Sequence, residues 1–457
     1  MTDIHNKTMI ASIMHAPVRG EVDICLDALM IINGEGQIEE IVRPNDPSYE
    51  KKKSEAKQDN SLVQLPSNQF LLPGFVDLHI HAPQWPQLGK ALDVPLEVWL
   101  MEHTFPLEAR YSDEKFAERM YADLVGSLLA NGTTTALYFA TIHKKATQLL
   151  ADICLEKGQR ALIGKVVMDN PDQCPDYYRD KSTETALEET ESFINYVHSM
   201  KNNTADLVKP VITPRFIPSC TDEALSGLGK LAQTHHCHVQ THCSESDWEH
   251  NYVLDRTGKT DTNALADFGL IGRHTILAHS NFISDQDMDV IADKGAGIAH
   301  CPLSNIYFST AIFPLKRALE KSLRVGLGTD ISGGPSASIF ETCRFSIHMS
   351  RTLEEGTDAS LPADERGIEN SRINFREAFH LATAGGADAL DLPVGRFEAG
   401  YQFDAILVAP DAPASPIFID DELDTLDDQL QKIIYSATRA NILSTWVSGR
   451  NVFTGKS

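Results

Sequence analysis

The chain has 457 residues, with 40 Lys plus Arg against 64 Asp plus Glu, a formal charge of −24. A surface this acidic repels phosphate backbones and anionic lipid, which excludes nucleic acid and a membrane surface as principal partners and says nothing against a small neutral ligand. At 42% hydrophobic and 23% charged the composition is that of a globular protein, long enough for one large domain with an accessory layer or for two. The eight cysteines, Cys25, Cys154, Cys174, Cys220, Cys237, Cys243, Cys301 and Cys343, form no C-x-x-C pair. Reduced thiols in a cytoplasmic protein are therefore expected rather than a disulfide framework. Residues 1–18 lack the apolar stretch of a leader, and the chain has no run of about 18 apolar residues of the kind that spans a membrane.

In chain order, residues 21–32 and 37–42 read as short strands. The charged, apolar-poor stretch 48–60 reads as an exposed loop. After Pro73-Gly74 the texture changes. Short runs rich in Val, Ile and Thr occupy 75–81, 133–141, 161–169, 208–216, 237–245, 274–280, 296–305 and 325–332. Amphipathic segments lie between several of them, at 113–130, 183–200, 223–234 and 285–294. Eight strand-like runs alternating with helices predict an α/β fold with a (β/α)8 TIM-like barrel. Residues 374–392 read as helix, and 395–409 and 434–455 as strands and turns. Pairing of the terminal strands would build one small β-sandwich domain from segments 1–70 and 391–457, with the barrel, 71–390, inserted between them.

The strongest local signal is Asp77-Leu78-His79-Ile80-His81. On a strand, residues two apart share a face, so His79 and His81 could grip one cation, and imidazole suits zinc or iron. Catalytic groups of a barrel sit at the C-terminal ends of its strands. Three more runs end in candidate ligands: Val239 to His242, Ile276 to His279 and Val325 to Asp330. Four strand ends delivering His, His, His and Asp point to one metal site. Of the 17 histidines most must be ordinary. His238 belongs by its position to the far end of the barrel, while His143 and His300 are left open.

Pro-Gly-Phe-Val-Asp-Leu-His-Ile-His (73–81), Thr-His-Cys-Ser-Glu (241–245), Ala-His-Ser (278–280), His-Cys-Pro-Leu-Ser-Asn (300–305) and Gly-Leu-Gly-Thr-Asp (326–330) together resemble the amidohydrolase superfamily. Within it the chain resembles the guanine deaminase family, on His81-Ala82-Pro83-Gln84, Asn131-Gly132-Thr133-Thr134-Thr135, Tyr138 to His143 and Thr213-Pro214-Arg215-Phe216. That resemblance implies hydrolysis of guanine to xanthine and ammonia in purine catabolism. It implies one Zn2+ on His79, His81, His242 and Asp330, with iron as the other candidate. Asp330 and His279 would stand beside the attacking water, Glu245 would shuttle the proton to the ring, and Gln84, Arg215 and Phe216 would hold the purine. Relatives of this kind are often homodimers.

Two-metal members of the superfamily bridge their ions with a carboxylated lysine at the fourth strand end; here that end reads Ile212-Thr213-Pro214-Arg215, which favours one metal. The cytidine-deaminase signature, His-x-Glu with Pro-Cys-x-x-Cys, is absent. The competing readings are another one-metal aminohydrolase or halo-aromatic hydrolase on the same scaffold and, more remotely, a non-catalytic scaffold that has kept the barrel.

Overall fold

The computed structural model describes residues 2–203, 205–420 and 422–455. Eight strands run parallel in sequence order: Phe75–His81, Thr133–Phe139, Arg160–Gly164, Val208–Pro214, His238–Cys243, Thr275–His279, Gly297–His300 and Arg324–Leu327. The first strand and the segment just past the last are joined by hydrogen bonds from Asp330 N to the His79 carbonyl (2.8 Å) and from His81 N to the Ile331 carbonyl (2.8 Å). The barrel closes through these two bonds, and every expected strand-like run contributes a strand.

Helices Glu114–Ala130, Lys144–Lys157, Thr183–His198, Asp222–His235 and Asp285–Lys294 lie in crossovers between barrel strands, and Ile339–Glu355 follows the eighth strand. Their starts follow local chemistry: Asp113, Ser182, Thr221 and Ser284 each accept backbone N–H groups of the first turn. Strand residues Phe75, Ile212, Leu277, Ile298 and Val325 share one apolar cluster with helix residues Leu225, Leu228, Ile291 and Phe340. Ile80 packs instead with Tyr121, Leu124 and Leu128. Leaving that side of the first strand to apolar packing frees the alternate positions, 77, 79 and 81, for polar work.

A second sheet gathers Lys7–His15, Asp23–Ile32, Ile38–Val42, Leu62–Gln64 and Phe70–Pro73 with Ala405–Val408, Ile442–Val447 and Arg450–Thr454. The two ends of the chain meet where Phe70–Pro73 pairs antiparallel with Ala405–Val408. Met9, Ile13, Met30, Ile38, Leu71, Phe403, Leu407 and Trp446 form its own core. The chain crosses from this sheet into the barrel at Gly74, where a Cβ would lie 2.2 Å from Thr134 Oγ1, so no larger residue fits. Among the described residues no helix is long and apolar enough to cross a membrane.

Three local readings differ from the structure. Residues 48–60 are not a loop: Tyr49–Gln58 is a helix. Its Lys, Glu and Ala are good helix formers. Two buried residues seven apart, Tyr49 and Ala56, fix it to the sheet, with Tyr49 Oη donating to the Asp27 carbonyl (2.8 Å). Residues 434–436 end a helix, Leu426–Ser436, rather than begin a strand; Thr425 and Asp428 form its capping box. Strand Lys7–His15 has no counterpart in the sequence reading.

The joint between sheet and barrel holds a buried ion pair. Arg160, on the third barrel strand, donates Nε to Asp404 Oδ2 (3.1 Å) and NH2 to Asp404 Oδ1 (3.2 Å). Arg160 NH2 also reaches Ser448 Oγ at 2.9 Å, and Ser448 N donates to Asp404 Oδ1 at 2.8 Å. Asp404→Ala leaves a buried guanidinium without its partner, so equilibrium denaturation should show a loss of about 3–5 kcal/mol. Turnover per folded molecule should stay unchanged, because neither residue reaches the metal-ligand cluster.

Candidate active site and metal centre

The first strand and the segment after the eighth are clasped by Asp77. Its buried carboxylate accepts Thr329 N (3.0 Å), Thr329 Oγ1 (2.5 Å) and His79 N (3.2 Å). Burial pushes the Asp77 pKa up to about 7 against the pull of those donors. Gly328 allows the close approach: a Cβ there would lie 2.8 Å from His79 Cβ and 2.9 Å from Cys301 Sγ. Ser244, His279, Ser280 and Asp330 all have positive φ, between 48° and 68°. Such non-glycine turns cost about 1–3 kcal/mol each. Bonds such as Ser280 N to the Cys243 carbonyl (2.9 Å) and Asn281 N to the Ser244 carbonyl (3.0 Å) offset them.

The strand ends bring the candidate ligands together. His79, His242 and His279 offer ligand atoms all within 4.8 Å of one another, as do His79, His81 and Asp330, and Glu245, His279 and Asp330. His81 Nε2 lies 3.0 Å from His242 Nε2, His79 Nε2 3.2 Å from Asp330 Oδ1, and His81 Nε2 3.7 Å from the same oxygen. Tetrahedral ligands at zinc-type distances of about 2.0–2.1 Å stand about 3.3–3.4 Å apart, inside that range. His79 Nε2 and His279 Nε2 are buried without a hydrogen-bond partner, although carboxylates stand close. Buried polar atoms are ordinarily satisfied, so these orphans, converging on one point, fit a cation. Burial first, then mutual repulsion, holds His79, His81 and His242 well below the usual imidazole pKa. The neutral form is the one that coordinates a metal.

Outer groups fix the rings. His242 Nδ1 donates to the Arg215 carbonyl (2.6 Å), which leaves Nε2 as the lone-pair atom facing His81. An amide chain sets His279. Asn281 Nδ2 donates to the Glu245 carbonyl (2.9 Å), Asn305 Nδ2 to Asn281 Oδ1 (2.7 Å), and Asn305 Oδ1 therefore accepts from His279 Nδ1 (3.0 Å). Because a carbonyl anchors the chain, each amide has only one sense, and the neutral His279 ring keeps its Nε2 lone pair toward Glu245 and Asp330.

Glu245, buried, has its pKa pushed up to about 8, first by burial and then by the charge of Asp330; burial raises Asp330 to about 6. Glu245 N donates to Glu249 Oε2 (2.7 Å). Glu249 and Asp261 are both buried, and burial, then their mutual repulsion, raises Glu249 well above the ordinary carboxylate range. Burial likewise raises Asp261, to about 6.

A cavity of about 390 Å³, mouth included, opens above the cluster. His81, Gln84, Arg215, Phe216, His242, Glu245 and Asp330 line it, along with Leu96, Trp99, Leu100, Phe308 and Gly333. His79 and His279 lie fully buried beneath. Gln84 Nε2 donates to Glu108 Oε1 (2.9 Å), and its Oε1 accepts Ser332 N (3.1 Å). Arg215 pairs with both oxygens of Glu108, at 2.8 and 3.2 Å. One polar end, one apolar wall and a metal-ligand floor suit a small planar ring.

The model of the amidohydrolase family matches residues 70–452. A guanine deaminase of Dictyostelium discoideum is 36% identical over 461 residues, covering 98% of each chain. The human guanine deaminase is 38% identical over 396 residues, 85% of this chain and 84% of that one. A crystal structure of guanine deaminase from C. acetobutylicum with guanine bound in its active site superposes with a TM-score of 0.85 at 30% identity, covering 98% of this chain and 100% of that one. The chain belongs to the guanine deaminases of the amidohydrolase family.

All nine residues singled out from the sequence fall at this one place. The sequence reading missed Glu108, Asn281, Asn305, Asp77 with Thr329, and the apolar walls Trp99 and Phe308. Asp77 and Asn305 stood inside recognised motifs, but nothing local separates a brace from a bystander. Glu108 carried no signal, because its partners are remote in sequence. Of the two histidines left open, His143 lies against Tyr178, ring centroids 5.9 Å apart, and His300 is buried against Phe313. His238 bonds the Leu390 carbonyl at the far end of its strand.

Removing either end of the ligand set should empty it. Purified His79→Ala and Asp330→Ala should lose bound metal and activity together; full metal occupancy by elemental analysis in either would contradict the geometry. The Glu249–Asp261 pair predicts a pH effect. Raised folded pKa values mean that the folded state holds protons more tightly than the unfolded one. The extra stability is complete below the ordinary carboxylate range and is lost as pH rises through the raised values. Glu249→Gln keeps an oxygen for Glu245 N and removes one charge, so its Tm should fall less than that of the unmodified protein on the alkaline side. Parallel Tm–pH curves would refute the raised pKa of Glu249.

Proposed function

We propose that this chain is a zinc-dependent guanine deaminase that acts in purine catabolism, in the cytoplasm, as a homodimer. The barrel is proposed to span 71–390, with 1–70 and 391–457 as the composite β-domain. The reading is carried by one observation: the metal-ligand floor and the polar set Gln84, Arg215 and Glu245 face the same cavity, with Phe216 on its wall. His79, His81, His242 and Asp330 are the proposed zinc ligands. Zinc held there would supply acidity to water, lowering its pKa from 15.7 to about 7.

The protein groups then account for the proton traffic. Water adds at C2 of guanine, forming a C–O bond, and the exocyclic C–N bond breaks to give xanthine and ammonia. Asp330 accepts a proton from the attacking water and later passes it to the departing amino group, which leaves as ammonia. Glu245, with its raised pKa, holds a proton near neutrality and delivers it to the ring nitrogen beside C2 as that carbon becomes tetrahedral. Glu245 then takes back the hydroxyl proton as the C2 carbonyl forms. His279, with its Nε2 lone pair directed at Asp330 and Glu245, orients the water. Arg215 and Gln84 hold the polar edge of the ring, and Phe216, Trp99 and Phe308 exclude solvent from its faces.

Ammonia release should be seen with guanine and not with adenine, cytosine or S-adenosylhomocysteine; turnover of another ring alone would move the substrate assignment and leave the class intact. Glu245→Gln should keep its metal and bind guanine while kcat falls about 10²–10⁴-fold, the range for losing a positioned proton donor. Retained turnover would remove Glu245 from the proton path.

A further inference from the structure

Glu108 lies on the short helix Phe105–Ala109, wholly buried, and touches neither the metal ligands nor the cavity surface. Its carboxylate joins the two side chains that read the polar edge of the ring. It accepts NH1 of Arg215 on one oxygen, and NH2 of Arg215 with Nε2 of Gln84 on the other. Phe105, one turn earlier, places its ring 5.0 Å from Arg215 Cζ, so one turn of helix supplies both the counter-charge and an aromatic face for the guanidinium. Ser332 N holds the other end of the Gln84 amide. The sense of that amide is thereby fixed, with one N–H of Nε2 uncommitted. Burial lowers the Arg215 pKa, but the charge and hydrogen bonds of Glu108 outweigh it, and the guanidinium stays cationic.

An uncompensated guanidinium in so dry a site would favour an anion strongly, because Coulomb terms grow as the dielectric falls. Paired with Glu108, it presents directed N–H donors with little net charge. We propose that Glu108 is a positioning residue that locks Gln84 and Arg215 into one neutral recognition unit and makes the pocket select uncharged heterocycles over anionic ones. The inference rests on the guanine reading and deepens it. It explains how a pocket with a buried arginine can accept a neutral base and let go of a more acidic product.

The test compares zinc-loaded unmodified protein with Glu108→Gln and Glu108→Asp. Calorimetry measures binding of hypoxanthine, neutral under mildly alkaline conditions, and of xanthine, largely a monoanion there. Glu108→Gln should shift the xanthine-to-hypoxanthine affinity ratio toward xanthine about tenfold or more, the scale of one charge-assisted hydrogen bond. It should raise KM for guanine by a similar factor with kcat within a few-fold, and Glu108→Asp should recover part of both. An unchanged affinity ratio would reduce Glu108 to a fold-stabilising partner and overturn the proposal. Should Glu108→Gln not fold, Glu108→Asp alone carries the test: its longer reach to Arg215 and Gln84 should shift the ratio toward xanthine by a smaller factor, and an unchanged ratio would overturn the proposal. Failure of the guanine reading would show differently, as no ammonia from guanine with the unmodified protein.

Discussion

Everything at the site depends on how the barrel closes. The first strand carries two imidazoles and the segment after the eighth carries a carboxylate, about 250 residues away along the chain. They become neighbours because backbone bonds cross the seam, Asp330 N to His79 O and His81 N to Ile331 O, and because Asp77 binds both sides of it. The ligand set is therefore a consequence of closure, and the accuracy of the site is that of a hydrogen-bonded backbone rather than of flexible side chains. The left-handed turns at Ser244, His279, Ser280 and Asp330 belong to the same device: each strand end turns out of the sheet where its functional group must face the axis.

What could be read in advance follows from this division. Strand periodicity and turn chemistry are local, so eight strands and four of the barrel helices were legible, and the residues at strand ends were legible as a set. The ligand positions announce themselves because imidazole and carboxylate at four separate strand ends are improbable as packing. Residues 48–60 failed for a local reason too: two apolar anchors, Tyr49 and Ala56, are enough to seat a helix but too few to register as a pattern. Strand Lys7–His15 is nearly all buried, held by Asp23–Ile32 along its length and by Phe70–Pro73, 58 residues on, so no alternation of exposed and buried residues marks it.

The supporting groups were illegible for a different reason. Asn305 is a brace for His279 only because Asn281 takes its other end and the Glu245 carbonyl takes the end of Asn281. Neither asparagine differs in sequence from one that caps a turn. Glu108 is similar: a lone glutamate in a stretch without periodicity, whose meaning comes from Gln84 and Arg215, 24 and 107 residues away. Polar residues acquire function through the closure of a network, and a network is a property of the folded chain.

The same distinction resolves an apparent conflict of charge. The chain carries −24 overall, yet its proposed substrate is neutral and its floor is a cluster of imidazoles and two carboxylates built to hold a cation. Exposed charges are screened beyond about 8 Å at physiological ionic strength, so the surface excess hardly reaches the cavity. Inside, burial sets the balance group by group. It keeps the imidazoles neutral, holds Glu245 near the point where it can both give and take a proton, and forces Arg215 to bring its own counter-ion. A buried charge without a partner costs several kcal/mol, more than a single such pair contributes, so each ionised group in the pocket must be matched before substrate arrives. The acidic surface and the balanced interior answer separate requirements, solubility in one case and recognition of an uncharged ring in the other.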